Sequence, residues 1–205
     1  MKLISLIRRR DDMSLAQFRQ YYENVHAPLA LQHFPFERYR RNYRSDSAVA
    51  APFDCLTESW IEPDAVQRIL AGPLGALFAE DRTRFMQEPA LSARVDEFEL
   101  VGSARLLAAS RYKLVQFLRG DIARERVALR RQWAQWIERL VATTAVAQVA
   151  LDRVVADDSN AFGADAVLSI ALYRPGPPPA LALPGGIAVT ASTAVAVYAR
   201  NRARD

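Results

Sequence analysis

The sequence predicts an α+β chain of two tandem βαββαβ units, the second degenerate, whose four-stranded sheets pair to close a barrel. Three observations predict it. Lys2–Arg8 reads KLISLIR and Lys113–Arg119 reads KLVQFLR, which sets an offset of 111 positions. The same offset carries Phe18, Tyr22, Val25 and Leu29 onto Leu129, Trp133, Trp136 and Leu140, so an apolar stripe spaced 4, 3 and 4 recurs. It also carries DCLTESW, from Asp54, onto DAVLSIA, from Asp165. Agreement of three segments at one ungapped offset marks two copies of one unit, spanning residues 1–108 and 109–205.

The first copy reads element by element. Lys2–Arg9 is apolar and β-branched, a strand. Ser14 is a good N-cap for a helix carrying the 4, 3, 4 stripe. Glu37–Arg44 alternates as a strand and Cys55–Ile61 makes a third. Pro63 and Asp64 start a helical region that is interrupted at Gly72 and Pro73 and resumes through Leu77, Phe78 and Phe85. Val95–Val101 closes the unit. The second copy repeats strand, helix, strand, strand as far as Tyr173. Residues 174–186, RPGPPPALALPGG, then replace most of the second helix with a proline-rich loop before a final strand at Ile187–Tyr198. An antiparallel sheet with helices on one face must cover the other. Two units in one chain do so as an intramolecular pseudo-dimer; association of two chains into a homodimer is a second solution.

Composition narrows the class. A chain of 205 residues, 51% hydrophobic and 24% charged, suits soluble globular structure. The N-terminal apolar run is short and flanked by arginines and aspartates, unlike a signal peptide, and no uncharged run approaches the roughly 18 residues of a membrane span. The single cysteine, Cys55, excludes an internal disulfide and fits a reducing compartment. A cytoplasmic protein without membrane association is expected. The +4 charge is modest, and Arg8–Arg10 and RYRRNYR at Arg38–Arg44 read most simply as solvated strand ends and edges. RYRRNYR mixes arginine with aromatics, but the aromatic strand of an RNA-binding βαββαβ module is absent, and nucleic acid is not an expected partner.

The string LAQFRQYYENVHAPLALQHFPFERYRRNY resembles the EthD-like family of the dimeric α/β barrel superfamily. Tyr22, Asn24, His26, Pro28, Leu29 and Pro35–Tyr39 carry its aromatic, N-x-H-x-P, leucine and turn pattern, and EDRTRFMQE at Glu80–Glu88 is similar to the acidic, aromatic tract before the family's last strand. The resemblance covers residues 1 to about 103; the second copy lacks H-x-P and most of the second helix. It implies a ferredoxin-like unit, a barrel of paired sheets, and an apolar pocket between sheet and helices with a few polar side chains. Polyketide cyclases, dehydratases, decarboxylases, lactone isomerases and cofactor-free monooxygenases are among the relatives it implies.

His26 is the candidate catalytic residue, with Tyr22 beside it one turn earlier. Pro28 lacks an N–H and disfavours helical geometry at Ala27, so the helix is expected to kink or end near His26, where an imidazole can aim into the pocket and move a proton near neutral pH. The ungapped offset places Ile137, Glu138 and Arg139 opposite His26, Ala27 and Pro28, so the second copy builds its helix without H-x-P. A purely structural role, in which His26 caps the break, is the competing reading. Asn24, Tyr39, Tyr43, Glu58 and Trp60 are candidate substrate-binding residues, with strand faces dependent on register. Trp133 and Trp136 read as core and His33 as a surface or turn residue. Two histidines and no ligand-spaced His/Cys/Asp cluster argue against a protein metal site. No G-x-G-x-x-G, P-loop or G-x-S-x-G occurs, so no cofactor is expected. The expected function is a cofactor-independent lyase, isomerase, cyclase or oxygenase acting on a hydrophobic, oxygenated small molecule; the alternative is a non-catalytic binding or assembly protein of the same fold.

Overall fold

The computed structural model of the chain describes residues 1–45, 51–102, 110, 112–155, 161–173 and 182–200. The division expected at 108/109 and most of the proline-rich loop lie outside these residues. In chain order the elements are β1 (Lys2–Ile7), α1 (Leu15–Tyr21), a π turn (Tyr22–His26), α2 (Ala27–His33), β2 (Arg38–Arg44) and β3 (Cys55–Trp60). Then follow α3 (Pro63–Ala71), α4 (Leu74–Thr83), β4 (Leu91–Gly102), β5 (Tyr112–Gly120), α5 (Arg126–Thr143), β6 (Val146–Val154), β7 (Ala166–Leu172) and β8 (Ile187–Arg200). The strands form a closed barrel in the order β1-β3-β2-β8-β5-β7-β6-β4. Two runs of ferredoxin-like order, β4-β1-β3-β2 and β8-β5-β7-β6, are contained in it, so the expected α+β tandem architecture is present.

The repeat is written into the ladders. Strand β1 pairs antiparallel with β3 so that Lys2 faces Trp60 and Ile4 faces Glu58. In β5 and β7, Lys113 faces Ala171 and Val115 faces Ser169. Adding 111 to either first pair gives the second. A one-residue slip would send every side chain to the opposite face, and none has accumulated between these strands.

The first helix begins as its sequence requires. Ser14 Oγ accepts from the Gln17 backbone N–H at 3.2 Å and the Gln17 side chain accepts from the Ser14 N–H at 2.8 Å, a capping box. Phe18, Tyr22 and Ala27 then pack with Ile7, Tyr39, Tyr43, Cys55, Phe85 and Met86 between helix and sheet. A second cluster, Ala30, Phe34, Ile61 and Phe78, seats α2 against α4 and the end of β3.

The helix, expected to kink or end near His26, leaves α-geometry there in a π turn whose last residue is His26. Helical geometry runs from Leu15 to His33, and one wide turn accommodates the proline: the Ala27 N–H donates to the Tyr22 carbonyl, five residues back. Pro28 thus falls in the first turn of α2, where a missing N–H is tolerated. The turn adds one residue to the helix, which also corrects the ungapped comparison. Leu129, Trp133, Trp136 and Leu140 are all buried on α5, as expected for core residues. In the first unit Val25, offset partner of Trp136, is 43% exposed, and the inward line is Phe18, Tyr22, His26, Ala30. His26 therefore corresponds to Trp136, not Ile137. His33, expected at the surface or in a turn, is the half-buried last residue of α2, its ring 6.1 Å from that of Phe78.

The second unit packs α5 on β5, β6 and β7 through Leu114, Leu118, Val149, Leu151, Leu168 and Ile170. Trp133 and Trp136 meet edge to face at 5.3 Å and fill this layer with indole. Truncating Trp136 to alanine should cost about 3–5 kcal/mol, whereas Val25→Ala should cost less than about 0.5 kcal/mol. Denaturant titration of both variants checks the one-residue shift, because the ungapped comparison demands a large loss at both.

Candidate functional site

Residues from the π turn, β2 and α4 meet in the layer between helix and sheet of the first unit. Strand alternation puts Tyr39, Arg41 and Tyr43 on the helix-facing side of β2 and Cys55 on that side of β3. Helix α4 and the residues just after it contribute Phe78, Asp81 and Phe85, spaced 3 and 4 and all buried.

His26 Nδ1 lies 2.6 Å from Asp81 Oδ2, and the Tyr21 hydroxyl donates to Asp81 Oδ1 at 2.9 Å. The imidazole sits between the rings of Tyr22 and Phe85, with centroids at 4.6 and 4.7 Å. Its side chain is 13% exposed and that of Asp81 6%. No described residue hydrogen-bonds Nε2. Burial alone would raise the Asp81 carboxyl, but the bonds from His26 and Tyr21 and the charge of Arg84 outweigh it and hold the group below the usual carboxylate range. Asp81 is therefore an ionised acceptor at neutral pH. A carboxylate on Nδ1 fixes ring orientation and leaves Nε2 as the atom that can exchange a proton.

Beside this pair lies a second polar group. Arg41, 1% exposed, forms a fork on Glu23 of the π turn, Nε to Oε1 at 2.9 Å and Nη2 to Oε2 at 2.8 Å. The Tyr43 hydroxyl donates to Glu23 Oε1 at 2.7 Å. Tyr22 and Tyr39 share a hydroxyl–hydroxyl bond of 2.8 Å. Burial pushes the phenols of Tyr22, Tyr39 and Tyr43 and the Cys55 thiol well up, so all four stay neutral at physiological pH. Arg41 stays charged because Glu23 offsets its desolvation.

The structure thus brings together His26, Tyr22, Tyr39 and Tyr43. It does not join the other expected residues to them. Asn24 is exposed. Glu58 and Trp60 alternate with Cys55 and occupy the opposite face of the sheet, where Glu58 pairs with Lys2 at 2.8 Å and Asn42 at 3.0 Å, and Arg38 stacks 3.8 Å over Trp60. Asp81, Tyr21, Arg41 and Phe85 enter the site unforeseen, and Glu23, which helical spacing already sets near His26, joins it as the partner of Arg41. Two signals pointed to them: a carboxylate within an apolar helical stripe, Phe78-Asp81-Phe85, and an arginine within an aromatic strand face, Tyr39-Arg41-Tyr43. Among the described residues no group of three or more His, Cys, Asp or Glu is arranged to hold a metal ion, and no helix is long and apolar enough to cross a membrane.

The depressed Asp81 pKa has a sign. The native state keeps Asp81 charged where the unfolded chain binds a proton, so its contribution is present above about pH 4 and is lost as pH falls through the lowered native value. Asp81→Asn should be less stable than the parent at neutral pH, and the gap should narrow below about pH 4. Unfolding free energies measured for both proteins across that range check this.

Residues 10–95 match the EthD domain family, and no curated protein is detectably similar in sequence. Solved structures with a similar course include a mutant chlorite dismutase from Candidatus Nitrospira defluvii in complex with cyanide, at 9% identity and TM-score 0.52 over 96% of this chain and 90% of that one. Candidate monooxygenases from Lactobacillus acidophilus and Fusobacterium nucleatum align at 9% and 8% identity with TM-scores of 0.45 and 0.46. They cover 97% and 98% of this chain and 92% and 94% of their own. The dismutase likeness is one of fold. Over residues 10–95 the chain is therefore similar to the EthD domain family, and its strands follow the dimeric α/β barrel fold.

Proposed function

We propose that the first unit is a cofactor-independent enzyme that moves a proton on a hydrophobic, oxygenated small molecule, with His26 as general acid or base, in a lyase, isomerase, cyclase or oxygenase reaction. The observation that carries this reading is the His26–Asp81 pair. Nδ1 is held at 2.6 Å by a carboxylate kept ionised, while Nε2 has no hydrogen bond from any described residue. A buried ring N–H needs a partner in any role, but an ionised carboxylate on Nδ1 would in addition hold the ring and stabilise the imidazolium formed in turnover. The rings of Tyr22 and Phe85 on either side of the imidazole favour an apolar substrate, whose oxygen the Tyr22 or Tyr39 hydroxyl would orient.

Contact with two rings and low exposure favour a second reading, in which His26–Asp81 clamps the π turn to α4 in a non-catalytic binding or assembly protein. One experiment separates the two. His26→Gln and His26→Ala are compared with the parent for thermal stability and for turnover of a panel of hydroxyaryl ketones, β-diketones and aryl lactones. The enzyme reading expects folded variants and turnover lowered about 10²–10⁴-fold. Parental turnover in a folded variant, or loss of folding in both, supports the clamp.

A further inference from the structure

The first helix holds two apolar lines that cannot both face the sheet. In straight α-geometry the inward line is Phe18, Tyr22, Val25, Leu29, whose counterparts on α5 are all buried. In the observed form the π turn advances the line by one residue, so His26 and Ala30 turn inward and Val25 is left 43% exposed. On apolar burial alone the α register is the better one, since it would bury Val25 in place of the His26 imidazole, while Leu29 is already half-buried against the Ala30, Phe34, Ile61 and Phe78 cluster. Something polar selects the other.

We propose that the Glu23–Arg41 ion pair is this selector, and that both are positioning residues which hold the helix in the register that presents His26 to Asp81. Glu23 lies within the π turn, and its carboxylate takes both arms of the Arg41 fork at 2.9 and 2.8 Å together with the Tyr43 hydroxyl. A bidentate fork is tied to one relative placement of its partners. A return to α-geometry would swing every residue after the turn by about 100°. Buried pairs of this kind often add little net stability but can fix register, and Arg41, whose side chain is 1% exposed, is such a case. Pro28 assists from the other side, because its missing N–H is harmless only where the π turn places it. Positioning in this sense rests on the reading of His26 as the proton carrier; the register itself does not, and it can be followed without turnover.

The chain has two histidines, so His33 serves as an internal reference. The test is the rate of carbethoxylation of His26 relative to His33, followed by mass spectrometry, in three proteins. In the parent His26 should react slowly. In Glu23→Gln/Arg41→Met, which removes both charges together, the helix should slip to the α register and the His26:His33 ratio should rise several-fold. Adding Val25→Asp to that background should restore the low ratio, because an aspartate at position 25 resists burial and forces the π register back. Should the double variant not fold, Arg41→Lys, which keeps the charge and loses the fork, takes its place with the same expectation. An unchanged ratio on breaking the pair, or a raised ratio that Val25→Asp does not reverse, would overturn the assignment. If the ratios move as expected while His26 variants keep parental turnover, the selector stands and the proposed chemistry falls.

Discussion

A single extra residue in the first helix governs what the first unit can do. Helical hydrogen bonding is periodic, and one residue inserted without relief would rotate everything beyond it off the core. The π turn at Tyr22–His26 absorbs the insertion locally. In doing so it brings an imidazole to the place that Trp136 occupies in the second unit and leaves Pro28 where a missing donor is tolerated. The contact of His26 with Asp81 depends on that placement, and it lies beside the Glu23–Arg41 pair and the Tyr22–Tyr39 hydroxyl bond in the same layer.

The two units consequently treat the same layer in opposite ways. In the second, Trp133 and Trp136 pack against aliphatic strand residues and the layer is sealed by bulk. In the first, aromatic rings enclose a carboxylate, an imidazole and an ion pair, an arrangement that burial penalises unless each group is partnered. An apolar filling is the cheaper way to hold a helix on a sheet. Retaining a polar one where a working apolar alternative exists in the same chain is the physical argument for function.

Much of this was legible before any coordinates. Strand pairing tolerates no odd slip, so the 111-residue offset between β1 and β5 and between β3 and β7 survived as identical ladder register, and the barrel followed from it. Helices are less strict, and there the reading failed by one position. Val25 and His26 are adjacent, either could face inward, and hydrophobicity alone favours the valine. Asp81 was hidden for a similar reason: it sits in a run of charged residues, and only its spacing from Phe78 and Phe85 marks it as inward. Glu58 and Trp60 carried the right chemistry for a site, but strand parity sends them to the face opposite Cys55. Parity becomes visible only when one residue of the strand is known to be in contact with the helices.

Proton transfer by His26 requires the ring to be held through Nδ1 with Nε2 left to exchange protons. Long-range ¹⁵N–¹H correlation spectra of the unmodified protein, taken where the ring is neutral, report this directly. A protonated Nδ1 with a strongly hydrogen-bonded, low-field proton and a lone pair on Nε2 is the predicted result. A proton on Nε2, or an Nδ1 proton without hydrogen bonding to a carboxylate, would contradict the account.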